Sequence, residues 1–148
     1  MIKITEFLLS ILICISIAAC SGGNSKQNSK GYLSQGSYDF TMYDSTGAKI
    51  AEGSLMVKSF EDSKISGVYS FTKVYQEFDG YNSMNKGEFT GKVNSKKNMV
   101  LINTNPMQAD NNVFFNLKIE PSSLKGDWYY TVSRRVSTPC RVEFLKTN

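Results

Sequence analysis

The chain has no histidine, and only three cysteines, three prolines and one tryptophan in 148 residues. Each shortage excludes something. Without histidine there is no Ser-His-Asp triad, no histidine metal centre and no side chain that ordinarily titrates near neutrality. Cys14, Cys20 and Cys140 lack the paired spacing of a zinc site, and no Gly-rich phosphate loop of the Walker or dinucleotide type is present. No metal or cofactor is therefore expected. Neither sign of charge dominates: 17 basic residues stand against 13 acidic ones, net +4. They form no basic stripe that would track a nucleic-acid backbone. The apolar run over residues 7–19 stops at thirteen residues, short of the roughly 20 that a membrane-spanning helix needs.

What is present begins with that run. Residues 1–6 carry one cation, Lys3, and residues 7–19 are apolar apart from Ser10, Cys14 and Ser16. This is the length of the apolar region of a secretory signal. The small residues Ala18 and Ala19 follow, then a cysteine. Ile17-Ala18-Ala19-Cys20 resembles the lipobox of bacterial lipoproteins. The resemblance implies cleavage between Ala19 and Cys20, a diacylglycerol on the Cys20 thiol and a further acyl chain on the new amino group. Two or three chains hold a protein on a membrane far more firmly than one. The expected address is thus the bacterial cell envelope, lipid-anchored to a membrane through Cys20, and no nucleic-acid partner is expected there. Ser21 in place of Asp after the cysteine is similar to the pattern of outer-membrane sorting where a cell has two membranes.

Residues 20–35 carry little apolar side chain until Tyr32 and Leu33 and are rich in Ser, Gly and Asn, the composition of a flexible tether. If Cys14 leaves with the signal and Cys20 is acylated, Cys140 is left alone, so the mature domain closes no internal disulfide. The organisation read from sequence is a signal peptide over 1–19, lipidated Cys and tether over 20–35, and one domain over 36–148.

In that domain the hydrophobic period is two. Alternation predicts strands over 38–42, 50–58, 65–76, 87–93, 99–104, 112–119, 124–133 and 140–146. Turn residues such as Asp44-Ser45-Thr46-Gly47 and Asn94-Ser95-Lys96-Lys97-Asn98 separate them. A flat sheet of eight strands would expose one apolar face and two bare edges; closure removes both. The fold class is all-β, an eight-stranded antiparallel meander closed into a small barrel, preceded by the signal peptide and tether. Gly67-Val68-Tyr69-Ser70-Phe71 and Gly126-Asp127-Trp128-Tyr129-Tyr130 share a pattern in which glycine stands two residues before a ring. Such a glycine leaves room for a ring from the neighbouring strand and lets the sheet bend.

The Gly126-Asp127-Trp128 element and the eight-strand meander resemble the lipocalin-like, or calycin-type, small barrels. In lipocalins the Gly-x-Trp element lies on the first strand; here Gly36-Ser37-Tyr38 stands there and Gly126-Asp127-Trp128 lies on the seventh. The resemblance implies a lipocalin-like barrel that holds one small hydrophobic ligand.

Eight rings are expected on the inner face: Tyr38, Phe40, Tyr69, Phe71, Phe89, Phe115, Trp128 and Tyr130. They either fill the core or line a pocket for an apolar ligand. Arg134, Arg135 and Arg141 would contact an anion if they converged at one mouth of the barrel. Glu52, Glu88, Asp127 and Glu143 stand singly, opposite in parity to the apolar residues, on what reads as the solvated face. Cys140 shares parity with Val142 and Phe144 and reads as a small buried hydrophobe. Asp79-Gly80 and Asp110-Asn111-Asn112 lack the ligand ladder of a calcium site and read as turns. No catalytic residue is assigned. The expected role is a non-catalytic binding or interaction module, facing an envelope protein. The alternative is carriage of a small hydrophobic ligand, and an envelope hydrolase using Glu88 or Asp127 is a third reading.

Overall fold

A computed structural model describes residues 33–78, 85–133 and 135–147. The leader, the lipobox with Ala19 and Cys20, most of the tether, Asp79-Gly80 and Arg134 lie outside the described residues. The described residues form strands and connecting turns with no helix: β1 (Gly36–Tyr43), β2 (Lys49–Glu61), β3 (Lys64–Val74), β4 (Lys86–Asn94), β5 (Met99–Asn103), β6 (Asn112–Ile119), β7 (Leu124–Val132), β8 (Arg135–Val136) and β9 (Cys140–Lys146).

Each strand from β1 to β7 pairs antiparallel with the next, as hairpin-linked strands do. β9 then lies between β7 and β1 and pairs with both, so the eight long strands close into a barrel. Every other residue points inward. On β1, Tyr38, Phe40 and Met42 are buried while Asp39 is exposed; on β6, Val113, Phe115 and Leu117 are buried; on β9, Val142 and Phe144 are. A one-residue slip would turn each such set to water, and this is what fixes the register.

The barrel has two unlike ends. At one end lie both termini of the described chain and the turns β2–β3, β4–β5 and β6–β7, none longer than four residues. Asp62 and Ser63, both at positive φ (46° and 66°), make the tightest of them, a two-residue turn whose backbone twist suits the strands it joins. The opposite end carries the longer connections, over 75–85, 104–111 and 133–139. The short β1–β2 turn there is organised by Asp44, whose carboxylate accepts from the Thr46 and Ala48 amides, both at 2.9 Å, and from the Thr46 hydroxyl at 2.7 Å.

Glycine and large side chains face each other across the strands. Gly53 lies opposite Phe40, Gly67 opposite Phe89, Gly87 opposite Tyr69, Gly91 opposite Ile65 and Gly126 opposite Leu117. A Cβ on Gly53 would stand 2.2 Å from the Phe40 ring. One on Gly67 would stand 1.8 Å from the Met56 carbonyl oxygen, and one on Gly126 2.1 Å from that of Asn116. Room for rings is part of the answer, and close approach of neighbouring backbone is the rest. The β2–β3 ladder is also irregular between Glu52 and Gly53, where the strand kinks.

Three boundaries differ from the sequence reading. The last connection contains β8, a two-residue strand paired to Thr131 and Val132. Val132 alternates in phase with Trp128 and Tyr130, yet it is 39% exposed, because it has run past the end of the barrel. Leu33, which the sequence places in the tether, is buried against the core. The Ser34 amide donates to the Tyr38 hydroxyl, and that hydroxyl donates to the Ser34 carbonyl, both at 2.8 Å, so this segment is sewn to β1.

Since a methyl group at Gly67 or Gly126 would meet backbone, not the tip of a side chain, the strands must move to admit it. Gly67→Ala and Gly126→Ala should each lower unfolding free energy in urea by about 1–3 kcal/mol or more. Gly47→Ala, in open space at φ +87°, should lose only about 1 kcal/mol. Equal losses at all three positions would remove the close-approach explanation.

Candidate functional site

The inner face of the barrel gathers the eight expected rings. Seven are buried, and Phe71 is half-buried and packs on the same core. Phe40 is the hub. Its centroid lies 5.4 Å from Phe71, 5.6 Å from Phe115 and 5.2 Å from Phe144, and Phe115 meets Phe144 edge-on at 5.2 Å. These are contact distances for rings, so this stretch of the interior is occupied by side chains. Two rings absent from the expected set complete it. Phe144, recognised from sequence only as an inward residue of β9, is fully buried beside Phe40. Phe78 comes from the loop after β3 and covers the long-loop end, 5.6 Å from Phe71 and 5.3 Å from Trp128. The only sequence signal for Phe78 is one aromatic residue inside a polar stretch.

Polar atoms among the rings are paired. The Trp128 indole N–H donates to the Tyr43 carbonyl at 2.9 Å, fixing the indole under the β1–β2 turn. Burial is the main cause pushing the Tyr69 hydroxyl pKa up, with neighbouring Thr104 opposing it. The Tyr130 hydroxyl donates to Asn111 Oδ1 at 3.0 Å, and its amide N–H donates to Ser137 Oγ at 2.8 Å. Asp110 accepts from the Asn111 and Ser133 amides. Asp110 and Asn111 thus spend side-chain oxygens on loop structure, while Asn112 donates its Nδ2 to the Gln108 carbonyl at 3.1 Å and keeps a buried Oδ1 without a partner. No group of three or more metal-ligating His, Cys, Asp or Glu side chains occurs among the described residues.

The two described arginines, Arg135 and Arg141, do not meet. Arg141 stands opposite Asp127 on β7 and Arg135 opposite Val132, five residues along the strand and so about 17 Å away. Arg141 lies over the Tyr43 ring, 3.8 Å from its centroid, with Glu143 3.8 Å away. It is held as a cation on a ring at the outer wall. Arg135 is exposed.

The carboxylates are equally dispersed. Glu52 accepts from Lys49 at 2.6 Å and from the Tyr75 hydroxyl at 2.8 Å. The Lys49 bond first, and the Tyr75 bond second, hold its pKa below the usual carboxylate range. Lys73 lies 4.5 Å and Lys49 5.7 Å from the Tyr75 ring centre, so Tyr75 is fixed on the outside although 47% exposed. Glu88 and Asp127 are exposed, with no partner acid across the strands: Glu88 faces Val68 and Asp127 faces Asn116 and Arg141.

Cys140 packs partly against the core beside its strand partner Trp128. Burial first, then the charges of Asp44 and Asp127, raise its thiol pKa. A raised pKa leaves little thiolate near neutrality, the reverse of what a nucleophile needs.

Apolar groups do reach water on the long-loop end. Met107 is 90% exposed, Val136 62% and Val132 39%. The bond between the Ser133 amide and Asp110 ties the β5–β6 loop, which carries Met107, to the β7–β8 turn, which Val132 and Val136 flank. Two wall grooves lie elsewhere. One, of about 590 Å³, includes Met56, Val68 and Lys86; the other, of about 680 Å³, includes Lys64, Leu101 and Phe114. On the same outer wall Phe114 and Tyr129 stack across β6 and β7 at 5.2 Å and 15°, a pair that alternation alone would place outside but not together.

If Cys140 is a structural thiol, iodoacetamide should alkylate it at least about ten-fold more slowly in the folded protein than in urea at pH 7–8. The folded rate should climb only as pH passes above the ordinary thiol range, since its pKa is raised. Fast labelling at pH 7 would reverse that assignment. No family model matches the chain, and no curated protein or solved structure matches it either.

Proposed function

We propose that the protein is a lipid-anchored lipoprotein of the bacterial envelope that acts as a non-catalytic interaction module, offering the long-loop end of its barrel to a partner protein. The anchoring half of the reading rests on Ile17-Ala18-Ala19-Cys20. The interaction half rests on one observation: Met107 on the β5–β6 loop, Val132 at the end of β7 and Val136 on β8 all reach water at the end opposite the termini. Exposed apolar side chains at one end of a fold are a common mark of a contact surface, and Tyr75, braced by Glu52 and two lysines, adds a rigid aromatic of the kind that anchors interfaces. Dispersed acids and a cysteine with a raised pKa favour binding over hydrolysis by Glu88 or Asp127. Lipocalin-like carriage of a hydrophobic ligand is the weaker alternative, because rings in mutual contact leave less room for one.

Intact-mass measurement on protein extracted from its own membranes should find diacylglyceryl and acyl additions on Cys20 as first residue, and Cys20→Ala should move the protein out of the membrane fraction. A bare Cys20 ends the anchoring half. A photo-crosslinker placed at Met107 or Val136 should trap an envelope protein in the living cell, whereas one at Ser122, on the short-turn end, should not. Equal yields at all three sites would remove the interaction half.

A further inference from the structure

The short-turn end of the barrel is rich in lysine. Lys64 and Lys92 face each other across β3 and β4, and Lys118 and Lys125 do so across β6 and β7. Lys96 and Lys97 sit on the β4–β5 turn between these pairs. All six are exposed. Together they span five neighbouring strands, an arc of about 19 Å at the usual interstrand spacing. The carboxylates at this end are Glu61, directly opposite Lys64, Asp62, Glu120 and Glu143, directly opposite Lys125, so the six lysines outnumber them.

Like charges directly opposite each other in a sheet repel, and here two such pairs stand beside a third lysine pair. The two ion pairs formed among the described residues, Lys49–Glu52 and Arg141–Glu143, involve none of these lysines. Glu143, the cross-strand neighbour of Lys125, is turned to Arg141 instead. A groove of about 790 Å³ includes Ser63, Lys92, Lys96 and Lys97. Phe60, 37% exposed near the tip of the β2–β3 hairpin, stands opposite Ile65 on the same hairpin that carries Lys64. A cluster of cations on one rim, with a partly exposed ring on one of its hairpins, suits a surface of anionic headgroups.

The same end is where the chain arrives from its N-terminal segment. Leu33 is buried and Ser34 is held by Tyr38 and by Lys146 Nζ, at 2.5 Å from Ser34 Oγ. Residues 1–32 therefore join the barrel at its lysine-rich end. We infer that this end docks on a bilayer surface containing anionic phospholipid, with the lysines on headgroup phosphates, which would turn the long loops away from the membrane. This rests on the lipoprotein reading for what brings the barrel to the bilayer, and on the charge of the barrel itself for what happens there.

The test is amine labelling of the full chain on vesicles, read lysine by lysine by mass spectrometry. One vesicle set is phosphatidylcholine alone and the other contains about 30% phosphatidylglycerol. Labelling of Lys96, Lys97, Lys118 and Lys125 should fall at least about three-fold on the anionic vesicles and recover in about 0.5 M salt, while Lys49 and Lys73 at the other end stay unchanged. Changing those four rim lysines to Gln should abolish the protection that Lys64 and Lys92 show beside them, with the melting temperature retained. Uniform labelling of both ends on anionic vesicles overturns the docking. Failure to sediment with neutral vesicles, but protected lysines on anionic ones, overturns the anchor and supports the docking. Sedimentation with neither set overturns both.

Discussion

The pairing of β9 with β1 is the constraint from which the rest follows. Without it the sheet would end on two strands of unpaired N–H and C=O groups, each a template for aggregation. With it, Phe144 is placed directly opposite Phe40, and the ring cluster that fills the interior becomes continuous across the seam. The closing contact and the core are thus one feature. The domain also has no disulfide to fall back on, since Cys140 is its one cysteine among the described residues and is free. Burial must carry the stability, and a chain of this length can bury enough.

Closure around rings has a second effect. Glycine on one strand and a large side chain on the next share the space that two ordinary residues would need, so strands approach closely and bend while the lumen fills. Chemistry is then displaced from the inside to the outside. Inner polar groups such as the Trp128 N–H and the Tyr130 hydroxyl are used in holding loops and strand ends. The charged groups stand on the wall in singles and small clusters, Arg141 on Tyr43 and Glu52 between Lys49 and Tyr75.

Much of this was legible in the residues. Alternation placed all eight long strands, because a half-buried strand must repeat every two residues and a closed sheet has no third option. The inner rings followed from parity alone. What parity cannot encode is where the barrel stops. Val132 continues the inward phase past the end of the barrel and meets water, and β8 forms because that overhang offers a free edge to Arg135 and Val136. Nor does local pattern report contacts made across the fold. Phe78 looks like part of a polar loop until Phe71 and Trp128 are brought beneath it, and Leu33 looks like tether until Tyr38 reaches back to Ser34. Arg135 and Arg141 are near neighbours in sequence, but the turn between β8 and β9 returns them to different heights on β7.

The contrast between the ends is itself a product of chain economy and charge. Short turns leave little backbone to elaborate, so side chains decide the character of that end, and lysine on turn-adjacent positions keeps it solvated. Longer connections at the other end can carry apolar tips such as Met107 and Val136, because Asp110, Asn111 and Ser137 bind the loops to one another and to Tyr130. Both termini of the described chain lie at the lysine-rich end, and an antiparallel barrel with an even number of strands leaves them there by topology. Any attachment through the N-terminal segment therefore presents the cationic rim first, and the loops become the surface most exposed to other molecules.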